Sequence, residues 1–298
     1  MTQQTLTVTL TDGRQLGYAE YGDSAGHPVL FFHGIPGSRL QTADFHDVAK
    51  AQHCRLIGVD RPGMGLSSCN PQHTLLSWAD DISSLVNHLI IEKFSIFGHS
   101  GGAPFVMACA YAMPERITSA AIVSGIAPTT LSESQIGLAR GQRILITFVR
   151  IIPGFALLMM QLQHLMFKLP KNLKNKMYQK MILQLPPADQ AILQDPVRLN
   201  TMLTASSEAF KQGAQGATQE FRLISNPWGF DLEKIKIPIT IWQGELDKQV
   251  PLSQAKLYQA RLPNAQLQLF NQEGHISTLY NHIGSILSQL IHSPTRQL

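Results

Sequence analysis

Four short apolar runs constrain this chain more than any other feature: residues 29–32, 56–59, 94–97 and 120–123 each lead into a turn and then a segment of helix length. Runs this short and continuous are what strands look like when helices cover both faces of a sheet. Between the second and third runs, Leu75, Trp78, Ala79, Ile82, Leu85, Val86 and Leu89 fall on one stripe of helical period, predicting an amphipathic helix. Strands alternating with helices imply an α/β fold with a mostly parallel sheet and right-handed crossovers. Ahead of them, 5–10 and 15–21 read as strands joined at the Asp12-Gly13 turn signal.

The alternation breaks over residues 128–227, where Leu, Ile, Met and Gln recur at helical spacing without a strand-like run. It resumes with a strand at 237–242, a helix at 252–261, a strand at 266–270 and a terminal helix from 276. The expected organisation is a core of 1–127 and 228–298 interrupted by an all-helical cap at 128–227. That insertion holds six of the ten methionines and carries eleven Lys or Arg against five Asp or Glu.

At 298 residues, 44% hydrophobic and 15% charged, the chain has the composition of a soluble globular protein able to bury a sizeable core. A net charge of +4 without any nucleic-acid motif argues against a nucleic-acid partner. The three cysteines, Cys54, Cys69 and Cys109, give neither a disulfide framework nor a zinc site, so no metal is expected. Residues 1–10 lack the basic and apolar regions of a secretory signal, which makes the cytoplasm the expected location. The apolar stretch 144–160 is interrupted by Arg150 and by Pro153-Gly154, and falls short of the about 20 residues a spanning helix needs. It reads as a buried or lid-forming helix pair, so no transmembrane segment is expected.

The sharpest chemical signal is Gly98-His99-Ser100-Gly101-Gly102, directly after one apolar run and before the helical 103–113. A G-x-S-x-G motif between strand and helix is a nucleophile elbow: the turn strains the serine backbone, demands small neighbours and lifts the hydroxyl above the sheet. It also places Ser100 at a helix N-terminus, where developing negative charge is favoured. A serine hydroxyl is a weak nucleophile without a base, and this architecture orders the chain Ser, acid, His. Downstream histidines are His164 in the insertion, His282 and His292 in the last helix, and His275 in the loop after the strand at 266–270. His275 alone lies at the carboxyl end of the sheet, where sites in open α/β sheets form. Asp247 and Glu245 both qualify as the acid by position, and Asp247 is preferred because Val250-Pro251 then turns the chain into a helix.

Acyl transfer also requires donors aimed at an oxyanion. Gly101 supplies one backbone N–H, and the loop His33-Gly34-Ile35-Pro36-Gly37 supplies the other, assigned to Ile35. His33 is expected to brace that loop rather than move protons.

With these motifs, together with Asp60-Arg61-Pro62-Gly63-Met64-Gly65-Leu66-Ser67, Gly244 and Gly274-His275, the chain resembles the α/β-hydrolase family nearly end to end outside the insertion. The resemblance implies a Ser100, Asp247 and His275 triad, no cofactor, a structural role for the Asp60-Arg61 turn and a cap that closes over the nucleophile. Relatives that hydrolyse haloalkanes or epoxides put aspartate at the elbow, which Ser100 excludes. Proline iminopeptidases carry His-Gly-Gly-Pro-Gly and a tryptophan beside the nucleophile, where this chain has Ile35 and Gly101-Gly102. The leading expectation is hydrolysis of a carboxylic ester of a small to medium apolar substrate, in a pocket lined by the cap's apolar side chains. The alternatives are an aminopeptidase, a carbon–carbon bond hydrolase in which Arg39 or a cap arginine grips a carboxylate, or a non-catalytic receptor for a small molecule. The cap lysines at 168, 171, 174, 176 and 180 read as a solvated face, with anions or a membrane surface as the alternative, and a homodimer stays open.

Overall fold

A computed structural model describes residues 5–292; residues 1–4 of the N-terminal reading and 293–298 of the expected core lie outside the described residues. The first half runs β1 (Thr5–Thr9), β2 (Gln15–Gly22), β3 (His27–Phe32), α1 (His46–Ala51), β4 (Cys54–Val59), α2 (Leu75–His88), β5 (Phe94–His99), α3 (Ala103–Ala112) and β6 (Ile117–Val123). Six helices follow without a strand: α4 (Arg140–Ile151), α5 (Phe155–Phe167), α6 (Lys171–Ile182), α7 (Pro187–Gln194), α8 (Pro196–Ala209) and α9 (Gln215–Ser225). The chain then returns to the sheet as β7 (Ile239–Gly244), α10 (Leu252–Arg261), β8 (Ala265–Phe270) and α11 (Ser277–His292).

The eight strands form one sheet in the order β1-β2-β4-β3-β5-β6-β7-β8. Only the β1–β2 and β2–β4 pairs are antiparallel; the rest of the sheet is parallel, as the alternating pattern requires. Both faces are packed. Leu30 and Phe32 of β3 join Trp78, Ile82 and Phe105 on one side, while Val29 and Phe31 join Phe45, Phe97 and Leu287 on the other. A period of two with apolar residues at every position is thus the signature of a strand covered on both faces. The predicted stripe of α2 is the buried face of that helix, and Thr74 closes its first turn by a reciprocal bond with Ser77.

One sequence expectation shifts. β7 begins at Ile239 rather than at 237, because Pro238 has no N–H to give to the ladder. The stretch 144–160 is the expected helix pair, only partly buried: Val149, Ala156 and Met160 are buried, while Ile144, Phe148 and Leu158 are exposed. α4 and α5 diverge by 118° at their break, and among the described residues no single helix is long and apolar enough to cross a membrane. Ile151 of α4 and Leu158, Leu162 and Leu165 of α5 are exposed.

The register decides where chemistry can gather. Pairing of Phe32 with Gly98 sets the loop after β3 beside the loop after β5. Pairing of Gly244 with Phe270 does the same for the loops after β7 and β8. All four loops leave the carboxyl edge of the parallel strands, the edge that binds ligands in open α/β sheets.

Candidate active site

At the end of β5 the chain reverses through Ser100, whose φ of 54° lies in the left-handed region, a strained conformation for a residue with a Cβ. The glycines two residues to either side make the reversal possible. A Cβ on Gly98 would lie 2.7 Å from the Gly102 carbonyl carbon, and one on Gly102 would overlap the Phe32 carbonyl. A 3-10 turn at Ser100–Gly102 feeds α3, whose residues 103–110 are buried on every side. Ser100 itself stays half-exposed.

The structure brings Asp247 and His275 into direct contact, with His275 Nδ1 and Asp247 Oδ2 2.8 Å apart and both residues buried. Asp247 Oδ1 accepts the N–H groups of Gln249 at 2.9 Å and Val250 at 2.8 Å, so the tight turn into α10 fixes the carboxylate. Burial opposes ionisation of Asp247, but the facing His275 and these N–H donors outweigh it and hold the carboxyl below its usual range. Burial likewise opposes a charged His275, yet Asp247 and then Asp189 overcome it and raise the imidazole above its ordinary value. An ionised carboxylate can only accept, so Nδ1 of His275 carries a proton, and in the neutral ring Nε2 is then the nitrogen with the lone pair. Glu245, the other positional candidate, is exposed. Of the remaining histidines, His164 stacks on Phe210 and His282 on Phe270, the latter half-buried.

Ser100 Oγ makes no hydrogen bond to His275 among the described residues. The two are linked through the neighbouring His99, whose Nε2 donates to the His275 carbonyl at 3.0 Å with the imidazole rings 4.8 Å apart. Burial, reinforced by His275, drives the His99 ring down to about 3, so it remains a neutral clamp. On the other side of the serine, a Cβ on Gly101 would meet Ile35 Cγ2 at 2.7 Å and Ile35 N at 3.4 Å. The two backbone segments expected to hold an oxyanion therefore lie side by side.

The helical insertion reaches this edge through three carboxylates that the sequence did not single out. Glu220 of α9 pairs with Arg61, with Nε–Oε2 at 2.5 Å, and Arg61 donates onward to the His33 and Gly34 carbonyls at 2.6 and 3.0 Å. Its Nη2 also lies 2.9 Å from His33 Nδ1. Burial and then the Arg61 charge push the His33 pKa well down, so His33 stays neutral and braces its loop, as the sequence reading expected. Glu208 of α8 holds Arg39 at 3.0 Å while Asp60 holds it at 2.6 Å. Arg39 is thereby buried between two acids, and this removes the expectation that it grips a substrate carboxylate. Asp189 of α7 accepts the N–H of His275 on Oδ2 at 3.0 Å and those of Ile276 and Ser277 on Oδ1 at 3.0 and 2.8 Å. The approach is so close that a Cβ on Gly274 would overlap the carboxylate. A groove of about 680 Å³ opens nearby, between the α4–α5 turn, α9 and the loop from Cys69 to His73. None of Ser100, Asp247 and His275 lines it.

A strained serine at a strand–helix turn, beside a buried Asp–His pair on a mostly parallel sheet, defines a class of folds rather than a substrate. Residues 27–281 match the model of the alpha/beta hydrolase fold family, and the chain belongs to that family. It is 30% identical to a proline iminopeptidase of Arabidopsis thaliana over 114 residues, 37% of this chain and 29% of that protein. It is 32% identical to a non-heme chloroperoxidase of Streptomyces lividans over 124 residues, 41% of this chain and 45% of that one. The matched regions thus span less than half the length of either relative. Among solved structures, an esterase from Exiguobacterium antarcticum superposes with a TM-score of 0.66 over 96% of this chain and 97% of that one, at 17% identity, a likeness of fold.

Proposed function

We propose that the protein is a serine hydrolase that cleaves carboxylic esters of small to medium apolar substrates, with residues 128–227 acting as a cap over the nucleophile. The observation that carries the reading is the 2.8 Å bond between Asp247 and His275 on the sheet edge where Ser100 is strained outward. In this mechanism Ser100 Oγ attacks the ester carbonyl carbon as its proton passes to His275 Nε2. Asp247 stabilises the imidazolium, and the backbone N–H groups of Ile35 and Gly101 hold the oxyanion. Collapse of the tetrahedral intermediate expels the alcohol, which takes the proton back from His275. Water then repeats the sequence on the acyl-enzyme and releases the acid. The hydrogen bond from Ser100 to His275 forms when substrate is in place, since such bonds often tighten only in the bound complex.

The test is turnover of short p-nitrophenyl esters by Ser100→Ala, paired with fluorophosphonate labelling of the wild type. The reading expects a loss on the order of 10⁶-fold in kcat and label on Ser100 alone. A folded Ser100→Ala protein that keeps its turnover removes Ser100 from the reaction. A wild type that binds apolar small molecules but neither hydrolyses esters nor takes the label is a receptor instead.

A further inference from the structure

On α4, Ile144, Phe148 and Ile151 follow one another at helical spacing along the outer face, and on α5 Leu158, Leu162 and Leu165 do the same. All six are exposed, Ile151 to 66% and the three leucines to between 52% and 56%. The rings of Phe148 and Phe155 meet edge to face with centroids 5.4 Å apart, which ties the two helices together near their turn. The result is a V with an apolar tip, and nothing among the described residues covers it.

The stretch of chain that carries this V has charge of one sign. Between Ser134 and Ala188 there is no Asp or Glu, while eight Lys or Arg occur. Arg140 opens the α4 stripe and Lys168 follows the end of α5, so each arm finishes in a cation at the end away from the tip. Arg143 and Arg150 flank the α4 stripe and are exposed. Three of the insertion's five acids, Asp189, Glu208 and Glu220, are turned into the core, where they hold His275, Arg39 and Arg61. That inward use of the carboxylates leaves the outer face basic.

We infer that the α4–α5 pair docks this protein on an anionic phospholipid surface, with its apolar stripes seated at the headgroup boundary and its cations on lipid phosphates and carboxylates. An amphipathic helix with an apolar stripe and Lys or Arg beside it lies in the plane of such an interface, and the attraction grows with both buried apolar area and surface charge. Neither helix alone is long and apolar enough to cross, and the 118° bend between them breaks any continuous span, so the inferred contact is peripheral. The long stem of Arg150 lets its charge reach headgroups while its neighbours Ile151 and Ile152 sit deeper. A second copy docked through the same face would set one basic arm against another, which disfavours a dimer as the occupant. The inference does not depend on the reaction catalysed.

The experiment is co-sedimentation of the full chain with vesicles of phosphatidylcholine, with and without phosphatidylserine. Binding is expected only with phosphatidylserine, weakening as salt is added. Ile151→Asp combined with Leu162→Asp should weaken it by at least roughly tenfold, with thermal stability and soluble-ester turnover unchanged because both side chains are exposed. Arg143→Gln combined with Lys168→Gln, which leaves the apolar stripes intact, should weaken it by roughly thirtyfold. Binding that ignores phosphatidylserine, or that survives both double variants, overturns the inference. So does a wild type that stays off all vesicles and runs as a dimer that the Asp variants split.

Discussion

Replacing Asp189 by alanine removes the acceptor of three backbone N–H groups, on His275, Ile276 and Ser277, at a site with no exposure to solvent. A buried donor left without a partner costs about 1–3 kcal/mol, and partial relaxation of the turn keeps three such losses from adding in full. The expected destabilisation is about 4 kcal/mol for Asp189→Ala. Asp189→Asn keeps one carbonyl oxygen for two of the donors and turns an NH₂ against the third, so its cost should be about 2 kcal/mol. The substitution also deletes a negative charge that helps raise the His275 pKa. In the proposed mechanism His275 must be neutral to accept the Ser100 proton, and a lower pKa extends the neutral form to more acid solution. In Asp189→Asn the acid limb of the kcat/KM profile on a p-nitrophenyl ester should therefore move to lower pH, a change that a merely scaffolding role would not produce. Urea melts and the pH profile decide it together. An Asp189→Asn protein with wild-type stability and an unmoved acid limb would refute the idea that α7 positions the base.

Gly101→Ala forces a Cβ to within 2.7 Å of Ile35 Cγ2 and should push the two proposed oxyanion donors apart, lowering kcat by about 10²-fold with little change in KM; steady-state kinetics read it directly. Glu220→Gln leaves the buried Arg61 charge uncompensated and should cost about 3–5 kcal/mol in denaturant melts, with loss of ester turnover as the His33–Gly34 segment loosens. Asp247→Asn should lower kcat by about 10⁴-fold by favouring the wrong imidazole tautomer. The same pair predicts a stability profile. The depressed Asp247 stabilises the fold above its ordinary 3.8 and loses that contribution as pH falls through its lowered value. The raised His275 contributes fully below 6.5 and fades as pH rises through its raised value. Both terms act between these limits, so melts across pH should show the benefit there, and Asp247→Asn should flatten it.

What could be read from the sequence was local. The four apolar runs, the α2 stripe and the glycines around Ser100 each declare themselves within a few residues, because strand burial, helix period and a left-handed turn are properties of neighbours. The contact of Asp247 with His275 was reachable too, since chain order in this architecture narrows each partner to a loop. Asp189, Glu208 and Glu220 were not. Each sits in a helix whose polar positions look like any solvated face, and its partner lies 86 to 169 residues away in the chain. The close fit of Gly274 against Asp189 was the one trace, and a lone glycine before a loop histidine has many other causes. The outward-facing Ile151 and Leu162 mislead for the opposite reason. An apolar stripe at helical spacing predicts a helix, but not what lies against it.

The seam between the insertion and the sheet has a consequence for recombination. α9 touches the Asp60-Arg61 turn backbone to backbone, where a Cβ on Gly216 would overlap the Gly63 carbonyl. Exchanging the insertion for that of a relative would leave Arg39 and Arg61 stranded in the interior and the turn before α11 open. Hybrids of this protein should become functional only when positions 39, 61, 63 and 274 are transplanted along with the helices, as one inherited unit.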